Sequence, residues 1–264
     1  MRLTLNSCTV RYPSTEALKD ITLSIQQGVF LAIMGKTGSG KTTLLEVLAG
    51  LSKPTSGTVS PTGFSQSVGI VLQRPEDQLF ASTVEEDVGF ALKNLALSPE
   101  EKSKRIGEAL EAVGFTDRKA CPLLLSGGQK RKVAIAGVLV FHPSVLLLDE
   151  PTSGLDPTGR KAMLQLLTSL NKQNVTIVMA SHDADAVAEC ATRLIILDDG
   201  RIAQDGNPHE VFADVPNMKN LQVGVSHARE IAYLFEQKGY RLPEGIIKEE
   251  ELEKALEAAP WMDA

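Results

Sequence analysis

Apolar positions along the chain follow two periods, and the switches between them mark the elements. Leu3, Leu5 and then Val10 give a strand-like pattern predicted over Arg2–Val10, and a second strand is expected at Ile21–Ile25. Val29–Met34 is continuously apolar, as expected of a strand buried on both faces, and it feeds a glycine-rich turn. Leu44, Leu45, Val47 and Leu48 then take helical spacing. A helix is predicted to start near Gly40 and to close at Gly50. Short strands are expected at Thr58–Val59 and Val68–Leu72.

From Thr83 to about Val140 the period becomes helical. Val84, Val88, Ala91 and Leu92 share one face, as do Ile106, Ala109, Leu110 and Val113. Strands return at Val145–Leu148, Thr176–Ala180 and Arg193–Leu197, separated by helical stretches. This order predicts an α/β fold with a largely parallel sheet and right-handed crossovers, an antiparallel N-terminal part, and a helical insert at about 83–140. The last stretch has a different character. Ala228, Ile231, Leu234 and Phe235 suit one short amphipathic helix, interrupted at Lys238-Gly239 and Pro243; Leu252, Ala255, Leu256 and Ala259 suit another. The division expected is a main domain over 1–220 and a small helical extension over 221–264.

Composition narrows the class. With 43% hydrophobic and 23% charged residues in 264, the chain reads as globular rather than disordered, and its net charge of −6 does not favour nucleic acid as partner. No apolar run approaches the roughly 20 residues needed to cross a bilayer. The first residues enter a strand directly, without a charged-then-apolar leader. Cys8, Cys121 and Cys190 lie far apart with no metal-ligand spacing, and read as small buried hydrophobes in a reducing compartment.

The chemistry is concentrated in a few segments. Gly35-Lys36-Thr37-Gly38-Ser39-Gly40-Lys41-Thr42, followed by Thr43, matches the P-loop pattern between a buried strand and a helix. Glycines allow successive N–H groups to turn inward on phosphate oxygens, and the helix N-terminus adds partial positive charge. Lys41 is expected to bridge the β- and γ-phosphates, and the Thr42 hydroxyl to bind Mg²⁺. Val145–Glu150 is an apolar strand ending in two acids. Asp149 is expected to hold Mg²⁺ through its water shell and Glu150 to orient or deprotonate the attacking water. Ser126, with Gly127, Gly128 and Gln129 behind it, opens an apolar-faced helix (Val133, Ala136, Gly137, Val140) and leaves backbone donors available to an anion.

Together with Gln73, Ser153-Gly154-Leu155-Asp156 and Ser181-His182-Asp183, these segments stand in the order and spacing of the ABC ATPases, which the chain resembles across about residues 1–215. The resemblance implies a P-loop NTPase domain that pairs head to tail, sandwiching two ATPs. It makes Glu150, His182 and Gln73 the catalytic set, with Gln73 joining Thr42 and Asp149 around Mg²⁺ and His182 on the γ-phosphate. Ser126 and Gly128 would touch the partner's ATP, Asp156 would couple the two sites, and Tyr12 would stack on adenine. The insert is too short for the coiled coil of repair and chromosome members, and a single cassette does not match the ribosome-acting ones.

A finer likeness follows Gln73. Arg74-Pro75-Glu76-Asp77-Gln78-Leu79-Phe80 and Thr83-Val84-Glu85-Glu86-Asp87-Val88, with the tail from Gly239 to Leu252, resemble the ATPases of energy-coupling-factor transporters. That resemblance implies a vitamin or metal-ion importer on the cytoplasmic membrane face, and a second ATPase subunit, a different one favoured over an identical one. It implies a groove for a transmembrane coupling protein, which in turn moves a membrane substrate-binding subunit. Leu79 and Phe80 would floor the groove, Glu85, Glu86 and Asp87 would offer carboxylates to arginines, and the extension would hold the ATPases together. The alternatives are the motor of a conventional importer and a soluble remodeller of macromolecules.

Overall fold

A computed structural model describes residues 2–62, 68–74 and 79–258. Two strands, β1 (Arg2–Tyr12) and β2 (Thr15–Gln26), form an antiparallel hairpin, and β4 (Ser56–Thr62) pairs on the other side of β1. The antiparallel part is thus a three-stranded sheet of its own. The second sheet has the order β5-β6-β7-β3-β8-β9, from β5 (Val68–Val71), β6 (Val145–Asp149), β7 (Thr176–Ala180), β3 (Phe30–Met34), β8 (Arg193–Asp198) and β9 (Arg201–Gly206). All its pairings are parallel except β8 with β9. β9 escapes the sequence pattern because its residues alternate exposed with only half-buried positions and present no apolar face.

β3, β6 and β7 are buried at every residue. Their alternation is real but divides two cores rather than core from solvent. Leu31, Ile33, Val145, Leu147 and Val178 face the antiparallel sheet and α1 (Lys41–Leu48). Phe30, Met34, Leu146, Leu148 and Met179 face the other way, into the core shared with the helices. Each fully buried aliphatic side chain contributes about 1.5–3 kcal/mol.

The helical insert consists of α2 (Val84–Phe90), α3 (Pro99–Ala112), a short 3₁₀ turn at Pro122–Leu124 and α4 (Gly127–Leu139). Its predicted apolar faces are buried: Val84, Val88, Leu92, Ile106, Leu110 and Val113 join the helix-side core. After β6 come α5 (Pro157–Lys172) and, beyond β7, α6 (Ala184–Cys190). Two six-residue helices, α7 (Pro208–Ala213) and α8 (Val215–Asn220), follow β9; they are too short to show a period in the sequence. The extension holds α9 (His227–Gln237) and α10 (Glu249–Glu257), packed through Ala228, Ala232, Ile246, Leu252 and Ala255. Ile231 and Leu234, expected on the same face as Ala228, are exposed. Ala259 lies outside the described residues. Of the cysteines only Cys8 is fully buried; Cys121 and Cys190 are half-buried.

Candidate active site

The parallel strands β3, β6 and β7 end together, where loop residues converge in open α/β sheets, and they bound a cleft of about 680 Å³. Backbone bonds lock the strand ends, Ser181 N–H to the Ile33 carbonyl (3.0 Å) and Glu150 N–H to that of Ala180 (2.9 Å). The P-loop makes the floor, and its close approach to neighbouring backbone dictates two glycines. A Cβ on Gly35 would lie 2.2 Å from the Leu197 carbonyl oxygen, and one on Gly40, which caps α1 at φ 106°, 2.5 Å from that of Ala17.

Of the predicted phosphate-binding residues, Gly35–Gly38 and Gly40–Thr43 line the cleft. Ser39 does not. Its side chain is buried and its N–H is bonded to the Lys36 carbonyl at 3.1 Å, so it closes the loop from beneath. Lys41 Nζ donates to the carbonyls of Gly35 (2.6 Å) and Lys36 (3.1 Å). Burial lowers its pKa, against the pull of Glu150 and Asp149. The Thr42 hydroxyl donates to Asp149 Oδ2 at 2.8 Å. A hydroxyl, a carboxylate and, lining the same cleft, the Gln73 amide form an all-oxygen donor set that fits a hard divalent cation such as Mg²⁺.

Glu150 follows β6 with φ 50°, a left-handed conformation that costs a non-glycine residue on the order of 1–3 kcal/mol and that clusters at functional sites. Its side chain is buried, and His182 Nδ1 sits 2.8 Å from Oε2. The His182 ring is otherwise exposed, on the cleft wall. Next to it, Asp183 caps α6 and takes a bidentate pair from Arg160 of α5 (2.6 and 2.8 Å). Burial raises the Asp183 pKa, but Arg160 and the Ala186 N–H outweigh it and hold the carboxyl below its usual range.

Asp156, four residues before Arg160, caps α5 by accepting the Gly159 N–H at 2.6 Å and remains exposed. Ser126 and Gln129 form a reciprocal capping box at the start of α4, and none of Ser126–Gln129 lines this chain's own cleft. Tyr12, at the tip of the first hairpin, is exposed and also outside the lining, whereas Thr15 and Ala17 are within it.

Several contributors carry no local sequence signal. Arg131 of α4 is buried and donates to the Ser153 carbonyl (2.8 Å) and the Gln73 carbonyl (3.4 Å), tying three of the motif segments together. In the sequence it is hidden in the basic run Lys130-Arg131-Lys132, which reads as a solvated face. Gln222, Val223 and Gly224, just past the expected domain boundary at 220, form part of the cleft wall.

At the expected groove, Leu79 is buried in the core, and Phe80 is exposed with its ring edge-on to Phe90, centroids 4.6 Å apart. Residues 75–78 of that motif lie outside the described residues. Asp87 differs from expectation. It is buried, and its Oδ2 accepts the N–H groups of Phe80 and Ala81, each at 2.8 Å, so it shapes the loop from inside. Glu85 stands 3.5 Å from Arg118, and Glu86 is exposed.

Residues 18–153 match the ABC transporter family model. The energy-coupling factor transporter ATP-binding proteins EcfA2 of Clostridium tetani and Streptococcus thermophilus are 40% and 43% identical; each match covers 91% of this chain and 89% and 91% of theirs. This chain belongs to the ABC transporter ATPases, in their energy-coupling factor branch. EcfA1 of Clostridium novyi is 38% identical over 92% of this chain and 91% of its own. Among solved structures, cbiO1 of Clostridium perfringens, part of the ABC transporter complex cbiONQ, has a TM-score of 0.75 at 37% identity, covering 89% of this chain and 98% of that one. An ATP-binding cassette solved as a post-hydrolysis dimer with ADP and phosphate has a TM-score of 0.70 at 31% identity, over 78% of this chain and 98% of that one. Like its family, this ABC ATPase hydrolyses ATP. Among its described residues no helix is long and apolar enough to cross a membrane.

Proposed function

We propose that this energy-coupling factor ATPase drives uptake of a vitamin or metal ion through a separate transmembrane coupling protein, at the cytoplasmic membrane face. The observation carrying the catalytic half is the Glu150–His182 pair beside the Thr42–Asp149 pair at one strand-end cleft. Lys41 releases the loop carbonyls to bridge the β- and γ-phosphates. Thr42, Asp149 and Gln73 would hold Mg²⁺, which when bound would supply positive charge against the phosphate oxygens. Glu150, pinned by its backbone and by His182, orients the attacking water and takes its proton; His182 then contacts the γ-phosphate. Tyr12, outside the cleft wall, is a candidate for the adenine face in the closed pair.

Ser126–Gln129 serves the ATP of a second ATPase, and Asp156 couples the two sites. A sister subunit is favoured over a second copy, since the relatives carry two names, EcfA1 and EcfA2. The main domain passes its closure to the coupling protein through α2 and the loop before it, where Phe80 and Phe90 are exposed with their rings in contact and Glu86 is exposed. The coupling protein then reorients a membrane substrate-binding subunit. The extension from 221 contributes to pairing through exposed Ile231 and Leu234. Affinity capture from solubilised membranes tests the whole: an integral coupling protein and a sister ATPase are expected. Capture of a conventional permease pair, or of ribosomes, would replace this reading with another.

A further inference from the structure

The segment joining α8 to the extension combines three unusual features. Gln222 has φ 57°, in the left-handed region that a side chain disfavours. It is held there by its own N–H bonded to Lys219 (3.0 Å) and by Val223 N–H bonded to Met218 (2.9 Å). Val223 is buried in the helix-side core, while Gln222 and Gly224 on either side of it are exposed and line the nucleotide cleft. Three residues on, His227 N–H bonds to Asp185 at 2.8 Å, and Asp185 is itself three residues beyond His182. The segment is therefore pinned at both ends, on the His182 side of the cleft.

We propose that Gln222–Gly224 is a third wall of the nucleotide site, with the Gln222 carboxamide hydrogen-bonding to bound nucleotide. The extension then senses whether the cleft is filled, and by thermodynamic reciprocity its position alters nucleotide affinity. This rests on the cleft being the ATP site. The strain argues for purpose: asparagine or glycine would sit at φ 57° with less cost, yet a glutamine that lines the cleft stands there. Gly224 offers the complementary probe, since a Cβ there would meet nothing within 4 Å and its φ is not left-handed.

Two full-length variants isolate the wall without breaking the fold. Gln222→Gly removes the side chain and relieves the backbone, so its Tm should hold or rise; Gly224→Leu fills open cleft space. Binding of fluorescent mant-ATP and mant-ADP is measured for each. Losing one hydrogen bond should raise Kd by up to about tenfold in Gln222→Gly, with partial recovery in Gln222→Asn. A loss for ATP alone places the contact on the γ-phosphate, and a shared loss places it on the diphosphate or nucleoside; either supports the proposal, whereas a loss in Gly224→Leu alone, with Gln222→Gly binding as the parent does, would overturn the Gln222 contact. Both variants binding both nucleotides within about twofold of the parent would overturn it. Lys41→Ala separates the underlying reading: if it also binds normally, the cleft itself is not the ATP site.

Discussion

The cleft and the signature corner are both built at helix N-termini, yet their polar groups are committed in opposite ways. In the cleft Thr42 already holds Asp149, Glu150 holds His182, and Lys41 holds the loop carbonyls. At Ser126–Gln129 the side chains close on each other in a capping box, face solvent and meet nothing of this chain's own cleft. In the proposed function, one region is the nucleotide's own site and the other is half of a site that a second subunit completes.

The largest test strikes the cleft alone. Glu150→Gln should lower hydrolysis by about 10²–10⁴-fold while mant-ATP binding persists; substantial residual turnover would remove Glu150 as the base. Arg160→Ala sharpens how the cleft is kept in register. It frees half-buried Asp183 beside His182, so kcat should fall about tenfold with KM little changed. Arg160→Lys keeps the charge but loses the two-pronged bond and should recover only part. An equal fall in both variants' thermal stability and no kcat change would make Arg160 merely structural.

Ser126→Ala addresses the other region. Its own cleft should bind ATP normally, paired hydrolysis should drop, and loss of the cap should cost about 1 kcal/mol, lowering Tm by about 2–4 °C. Weakened ATP binding by the unpaired variant would mean that the signature serves its own cleft. The smallest effect concerns the extension. Asp185 raises the pKa of His227 above its usual 6.5. The charged contact therefore stabilises most below about pH 6.5 and fades as pH rises through the higher folded value. Protection of the amides at the start of α9 against hydrogen exchange, corrected for the base-catalysed intrinsic rate, should fall across that window in the parent and stay flat in His227→Gln.

How much of this is legible in the sequence depends on how local the signal is. The P-loop, the Asp149-Glu150 strand end and the signature cap are read from consecutive residues, because strand, turn and helix start are themselves local. The insert and the tail helices follow from periodicity; the insert's buried faces agree, while in α9 the expected face is buried at Ala228 but exposed at Ile231 and Leu234. What stayed hidden depends on chain segments meeting. Arg131 bridges residues 22 and 58 positions away, and Arg160 finds Asp183 across 23. The Gln222–Gly224 wall has no motif, and Asp87 turned inward because two backbone N–H groups needed an acceptor more than the surface needed a charge. Strand β9 lacked any apolar alternation to find.

In the proposed function this chain carries a full hydrolytic cleft but only half of each working site. ATPase rate per chain, measured on purified protein at concentrations where light scattering reports only the monomer, tests it most directly. The rate should be close to zero there, and should climb with concentration or when the sister ATPase is added. A monomer turning over at full rate, indifferent to concentration, would contradict the claim.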